Sequence, residues 1–565
     1  MPKRPKQSKQ SEPLTKVVSD FRSSWDYTHT TYHELWHDCW KLYNNQRVDR
    51  AYDGITNTFV PMTFSTIETM VASLAGSRPR FDFSPTKPEQ EVDTKVLNYQ
   101  LDHYWDKDKW QSKVDKWIRS MLMYGTGVMF MYWDIDHPCL LNIPLRDFFV
   151  DPTASSPEEA SYMGRRYLTT VEALKEYEYY DPEKDELAKT YKNLDKIGQS
   201  SGNTGEETDK EEKDLFMGST LGKGAPKNQV ECIEHWTKER VIVVANRSIV
   251  IRDDKNPHLA ASEARGDENP RGLLPFILQR NYVDESLFYG KGEIEPILPA
   301  QELLNDLTNQ NIDAITYALN PMWNLDPKYS DHQESVESLP GAVYPFERGA
   351  LSPITMPQIP TNAFNERLNI KNEIREATAS DQVVKGVSQD TQATATEINA
   401  QVAQAGARFA VKVSQIENEG YFDLARLVVD MVQLYVTEPM MVQVIGERQG
   451  VDWTVYDPVA FQGEFNVKVQ LESTVESQKL DESNQAKEMF MAFNGDPLIN
   501  QEELRRTALK RSFDLDEDEV ERLMTVEPME DMAGGEMLDP MADPMQDPLS
   551  GPIPLEMPVE AGIYG

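Results

Sequence analysis

Cysteine is scarce in this chain. Only Cys39, Cys139 and Cys232 occur among 565 residues, odd in number and far apart. Such a set excludes a disulfide framework, matches no zinc-finger spacing and suits a reducing compartment. Long apolar runs are missing as well. Nothing approaches the roughly 18 uncharged apolar residues of a membrane span, and basic residues 1–6 lack the apolar stretch of a signal peptide. No membrane partner is expected. The absence of a Gly-x-x-x-x-Gly-Lys-Ser/Thr loop excludes a P-loop motor. Positive charge is the other deficit: 57 Lys and Arg face 94 Asp and Glu, a formal net charge of -37 at pH 7. Affinity for phosphate comes from Lys and Arg, so a chain this acidic does not grip nucleic acid. A wall of such charge would instead let a polyanion slide past.

What is present is mostly helix, and the rest of the chain is organised around residues 290–436. Over 299–319, Leu304, Leu307, Ala314, Ile315 and Ala318 share one side at helical spacing, and Asn320-Pro321 ends the pattern. A proline-dense extended stretch follows. A second, shorter helix starts at Thr361 or Asn362, both good N-caps, and carries Phe364, Leu368 and Ile374. After a polar break at 380–392 comes the longest regular signal. Ile398, Val402, Ala405, Phe409, Val413, Ile416, Gly420, Leu424, Leu427, Met431 and Leu434 advance in steps of four or three. The steps average about 3.6 residues, the period of a straight helix. Unbroken, residues 393–436 would extend roughly 66 Å at 1.5 Å per residue, with Gly406 and Gly420 as places for a kink.

Residues 1–14 read as disordered. Helices are expected over 17–45, rich in aromatics (Phe21, Trp25, Trp36, Trp40), over 58–75 and over 91–124. Gly125-Thr126-Gly127 is a tight turn into a β-type run at 128–133, and His137-Pro138 turns into a strand at 140–143. A short helix fits 169–179, strands fit 230–236 and 240–251 as a hairpin or meander, and 274–282 leads back to Gly290. The polar stretch 198–228 reads as a mobile insertion. After the long helix, 440–445 and 465–471 look like strands, and 477–493 and 501–523 like charged helices. The repeats of Asp-Pro and Glu-Met-Pro from 527 onward cannot bury enough apolar surface to fold alone.

One motif points to chemistry. His33-Glu34-Leu35-Trp36-His37 is a literal H-E-x-x-H, which in a helix can hold zinc and activate water. A third ligand is required, and the extended form of the motif would need glycine and histidine where Trp40 and Tyr43 stand. Glu68 is the downstream carboxylate to consider. The plainer reading is an amphipathic helix with histidines on its polar side. A zinc-dependent hydrolase is therefore the alternative function. The main reading expects no enzyme activity, no cofactor and no metal.

The order of the parts resembles the portal (head-to-tail connector) proteins of tailed double-stranded-DNA bacteriophages. The residues that carry the resemblance are Gly290-Lys291-Gly292, the Gln301…Asn305…Asn309 helix, Pro321, and Val387-Ser388 ahead of Ala395-Thr396-Glu397-Ile398. The phrases YGTGVMFMYWD and IPLRDFFVDPTA look like the portal wing, and Asp151-Pro152-Thr153-Ala154 is similar to a phrase of the short-tailed subgroup. The resemblance implies an α+β portal fold. After a disordered N-terminus (1–14) come a wing (15–290, containing the 198–228 insertion), a first stem helix (291–320), a clip (321–360) and a second stem helix (361–379). A tunnel loop (380–392), a long kinked spine helix (393–436), a wing closure (437–475), a small helical crown (476–525) and a disordered acidic tail (526–565) follow.

It implies a structural subunit of a ring of about twelve copies. That ring would sit at one capsid vertex as the conduit for genome packaging, retention and ejection. The terminase large subunit, the tail adaptor, the major capsid protein and the scaffolding protein would be its partners, with double-stranded DNA passing transiently. The chain would reside in the virion, and in the host cytoplasm during assembly. Asp381, Gln382, Val383, Val384, Lys385, Gly386, Val387, Ser388 and Gln389 would then reach the channel axis, although the same residues suit an ordinary helix–helix connector. Arg367, Lys371 and Arg375 form a basic stripe that either pairs with Glu366, Glu373 or Glu376 or meets phosphate. Trp323, Tyr329, Tyr344 and Phe346 either dock partners or join neighbouring subunits. A filament or scaffold component would carry similar helices without closing a ring.

Overall fold

The computed structural model describes residues 12–47, 56–76, 78–86, 95–134, 136–181, 186–199, 229–265, 270–320, 322–328, 349–354, 361–378, 410–436, 439–445, 451–456, 465–471, 486–487, 489–493 and 500–513. The chain divides into two units, Met1–Ser477 and Gln478–Gly565. The loop at 380–392, the first part of the expected spine at 393–409, and Tyr329, Tyr344 and Phe346 lie outside the described residues.

The first unit opens with α1 (Glu12–Thr31) and α2 (His33–Tyr43), two helices where one was expected over 17–45. Helix begins at Glu12, inside the stretch read as disordered. Leu14 is already buried with Val17 and Phe21 against the sheet, and that burial holds the first turn. Next come α3 (Met62–Ala75) and β1 (Pro79–Pro85). The single helix expected over 91–124 is also two, α4 (Lys95–Lys107) and α5 (Trp110–Tyr124), broken where Lys109 takes a left-handed φ of 52°. β2 (Thr126–Asp134), β3 (His137–Ile143), β4 (Phe148–Val150) and β5 (Tyr162–Thr170) lead to α6 (Val171–Glu176). The Thr170 hydroxyl caps α6 by accepting from Ala173 N at 3.2 Å.

β6 (Glu178–Asp181) and β7 (Glu186–Lys189) form a pair of their own. β8 (Gln229–Thr237), β9 (Arg240–Ala245) and β10 (Ile249–Lys255) make the expected meander. α7 (Pro257–Arg265), which the sequence pattern did not suggest, precedes β11 (Phe276–Arg280). Then come α8 (Leu298–Leu319), β12 (Trp323–Leu325), β13 (Leu351–Pro353), α9 (Thr361–Ala377) and α10, helical over 410–435. β14 (Met440–Ile445), β15 (Val451–Tyr456) and β16 (Phe465–Leu471) end the unit's described part.

Pairing is antiparallel in two main sheets, ordered β10-β9-β8-β5-β4 and β11-β2-β3. β1 joins β16, with Pro79 opposite Leu471 and Pro85 opposite Phe465, so a strand bounded by two prolines closes against the last strand of the unit. Its Phe81 and Phe83 alternate into the main core. That core gathers Trp110, Trp117 and Leu122 of α5, Ile67 and Met70 of α3, and Leu424, Val428 and Val432 of α10. No described helix is long and apolar enough to cross a membrane. In the second unit, 489–493 is helical and α11 spans Gln501–Phe513.

Candidate functional site at the root of the paired helices

α8 and α9 lie side by side through Leu304, Ile370 and Ile374, which are buried with Ile297. The face of α8 that fixes it to the rest of the unit is polar. Gln301, Asn305, Asn309 and Asp313 recur every fourth residue, a rise of about 6 Å along a helix. The segment at 56–60 offers backbone groups on one side at every second residue, about 6.6 Å apart in a strand-like chain. The two spacings nearly match, and side chains of α8 stand in for a neighbouring strand. Thr56 N donates to Asp313 Oδ1 at 2.7 Å, Thr58 N to Asn309 Oδ1 at 2.7 Å and Val60 N to Asn305 Oδ1 at 3.0 Å. In return Asn309 Nδ2 donates to Thr58 O at 3.2 Å and Gln301 Nε2 to Val60 O at 2.8 Å. Gln301 and Asn309 are buried, so their amides depend on these bonds, whereas Thr58 on the other side keeps access to water.

The approach to α8 is held by backbone crossing. Gly125 ends α5 at φ 87°, and a Cβ there would fall 2.0 Å from Gly290 O. Asn281 N donates to Gly125 O at 2.9 Å, and Glu293 N to Leu122 O at 2.7 Å. α10 reaches the same place: buried Lys412 donates to both Glu293 Oε1 and Asn281 Oδ1, and its ammonium lies 4.0 Å from the Tyr282 ring centroid. Five residues later α10 widens into a π turn, Glu417–Tyr421. A π turn shifts the hydrogen-bond ladder by one residue. Here Gly420 N donates to Gln279 Oε1 of β11 at 3.0 Å, and Tyr421 packs edge-on to Trp117, with centroids 5.9 Å apart. Gly420, one of the two places offered for a kink, sits in this turn, and the helix continues to Tyr435.

Two carboxyls sit at the turn, Glu419 within it and Asp423 just after it. Burial, then Glu158, raises Asp423 from 3.8 to about 6, against Arg426 and with Glu419, itself raised chiefly by burial. A raised carboxyl pKa means the folded chain holds its proton after the unfolded chain has lost it. Stability is therefore full below pH 3.8 for this group and falls as pH climbs to about 6. Thermal midpoints of Asp423→Asn should lose that fall and exceed the parent's near pH 7. Parallel curves for the two proteins would rule the carboxyl out.

The basic stripe is described. Arg367, Lys371 and Arg375 are half-buried along α9, and Lys371 is lowered from its usual value by burial and then by those two guanidiniums. Arg375 also donates to Asn372 Oδ1 at 3.3 Å. Large apolar side chains are exposed on both helices and on the strand that follows α8: Leu319 of α8 is 75% exposed, Leu368 of α9 55% and Trp323 of β12 45%. Ile315, read as part of the apolar face, is among the exposed residues.

The H-E-x-x-H residues do not assemble a metal centre. His33 is packed edge-on to Trp25, and burial with His29, Arg146 and Arg166 lowers it to about 4. A site facing two guanidiniums is hostile to a dication. Glu68 accepts from Arg119 Nε at 2.9 Å and from the Tyr43 hydroxyl at 2.6 Å, and so is committed elsewhere. The DPTA phrase is a local turn, in which Asp151 Oδ1 accepts from Thr153 N at 3.0 Å.

What sequence reading missed is the polar ladder, Lys412 with Glu293, and the backbone crossing at Gly125. The four-residue recurrence of Gln301, Asn305, Asn309 and Asp313 was a visible signal. Its partner, some 250 residues earlier in the chain, was not.

These features build a mount for a helix pair and a long helix, the work of a structural subunit. Residues 134–549 match the family described as the phage SU10 portal protein, and the chain belongs to that family. It is a structural portal subunit of a virion. No curated protein matches. Solved chains titled "Virion of native gene transfer agent (GTA) particle" and "Neck of empty GTA particle computed with C6 symmetry" are similar at 11% identity each. The first has a TM-score of 0.36 and covers 87% of this chain and 98% of that one; the second has 0.35, 79% and 89%. Both scores are low, so membership rests on residues 134–549.

Proposed function

We propose that copies of this chain close into a ring of about twelve around a DNA channel at one capsid vertex. The observation that carries this reading is the exposure of large apolar side chains on the helix pair and the strand after it: Ile315 and Leu319 on α8, Leu368 on α9 and Trp323 on β12. Neighbouring copies in a ring would cover such side chains. The net charge of -37 suits a bore that must not bind its cargo. Screening acts over roughly 8–10 Å at physiological salt, so repulsion would be felt only near the wall.

In this reading 291–320 and 361–379 are the stem, 321–360 is the clip and 380–392 the loop nearest the axis, with Lys385 its lone cation. Arg367, Lys371 and Arg375 would meet carboxylates of a neighbouring copy. Trp323, Tyr329, Tyr344 and Phe346 would dock first the terminase large subunit and then a tail adaptor of the short-tailed type. The major capsid and scaffolding proteins would contact the ring as it assembles in the host cytoplasm. Electron microscopy of the purified chain should show annular particles. A compact monomer at every concentration, with no rings, would sink the proposal.

A further inference from the structure

A cluster at the corner between α4 and α5 is not used by that role. In β3, His137 and Cys139 are two residues apart and so share a face of the strand. Cys139 Sγ lies 3.4 Å from His137 Nε2. The corner between α4 and α5 brings in Asp108, and one ligand atom from each of Asp108, His137 and Cys139 lies within 4.8 Å of the other two. Cys139 is buried, whereas His137 and Asp108 keep some access to water.

We propose that Asp108, His137 and Cys139 bind one zinc ion per chain, stapling the α4–α5 corner to the β2–β3 hairpin. Thiolate, imidazole and carboxylate are zinc's donor set, and three protein ligands leave a fourth position for water. The surroundings are arranged for ligation. Asp136 Oδ1 lies 2.7 Å from His137 Nδ1, which fixes the proton there and leaves the Nε2 lone pair facing the sulfur. On Asp108, Trp110 Nε1, Leu140 N and Lys113 Nζ all donate to Oδ2, which holds the carboxylate in a fixed orientation. Lys107 and Lys113 already pair with Asp136 and Asp108. The new negative charge opposing the ion is therefore the thiolate, formed as the Cys139 proton passes to solvent. That selects a thiophilic ion over magnesium or calcium, which want oxygen. Sequence spacing hid the site because Asp108 stands 29 residues before His137 and H-x-C on a strand is not a zinc-finger pattern.

The test uses the untagged full-length chain, stripped with chelator and loaded with zinc or cobalt. Elemental analysis should give one zinc per chain. Cobalt should give a sulfur-to-metal charge-transfer band that Cys139→Ser abolishes and that Cys39→Ser and Cys232→Ser leave intact. Asp136→Asn, which removes the carboxylate behind His137 together with its exposed pair to Lys107, should weaken zinc binding about 10- to 100-fold. Circular dichroism of each variant separates lost binding from lost folding, and the parent's cobalt spectrum needs no variant. Absence of stoichiometric zinc, or a cobalt spectrum without the sulfur band, would overturn the proposal and leave a plain S–H···N hydrogen bond.

Discussion

Valine in place of Gly125 is expected to leave little folded protein. Two costs coincide at this residue. Its φ of 87° lies where an L side chain is strained, by about 1–3 kcal/mol. Its Cβ would also fall 2.0 Å from Gly290 O and 2.7 Å from Lys291 C, both backbone atoms that no rotamer change can move aside. Separating the α5–β2 turn from the 290–292 segment would pull Asn281 N off Gly125 O and Glu293 N off Leu122 O. The sum is about 4 kcal/mol or more, a large part of the 5–15 kcal/mol that holds a typical domain. Gly349 is the internal control. Its φ is 98°, yet among the described residues nothing lies within 4 Å of its Cβ position, so Gly349→Val carries strain without a collision of that kind. Soluble yield and thermal midpoint should fall far more for the first variant than for the second. Equal losses would show that conformation alone matters and that the crossing is slack.

How far the fold was legible depended on whether a residue's partner lay close in sequence. Starts and stops of α8 and α9 were readable because Asn320-Pro321 and Thr361 are local signals. The stripe along α10 held as well: Ile416, Gly420, Leu424, Leu427 and Met431 are all buried. The π turn within it was invisible, since a mean period of 3.6 averages over one inserted residue. β1 was missed because prolines bracket it and its partner β16 comes some 380 residues later. On α8, hydrophobic periodicity was the wrong instrument for one face. Leu304 is buried as expected, but so are Gln301, Asn309 and Asn311, whereas Ile315 and Leu319 are not. Amides bury when they satisfy backbone groups, and a count of apolar residues cannot register that. The portal class was readable from the order of parts; the mount that supports its helices was not.

The ladder on α8 yields the other large effect. Asn309→Leu keeps the branched heavy-atom shape and favours helix, but it removes every polar atom that Thr58 uses. Thr58 N, its hydroxyl and its carbonyl oxygen each bond to Asn309, at 2.7, 2.9 and 3.2 Å. Thr58 is itself exposed, so water takes over part of what leucine removes, and each of the three bonds lost costs a net of about 0.5–1.5 kcal/mol. Rotation of the threonine hydroxyl recovers part of this, so a net loss of about 2–3 kcal/mol is expected. The loss should be local before it is global, because the segment at 56–60 is the side that comes away. Amide exchange at Thr56, Thr58 and Val60 should accelerate roughly 30- to 140-fold, as 1.4 kcal/mol is tenfold. Exchange within α5 should change little. Leu319→Ala, at a position 75% exposed in the protomer, should leave all three amides protected. If Asn309→Leu leaves Thr58 N as slow to exchange as in the parent, the side chains of α8 are not what holds that segment. The root of the helix pair would then be fixed by Gly125 and Lys412 alone.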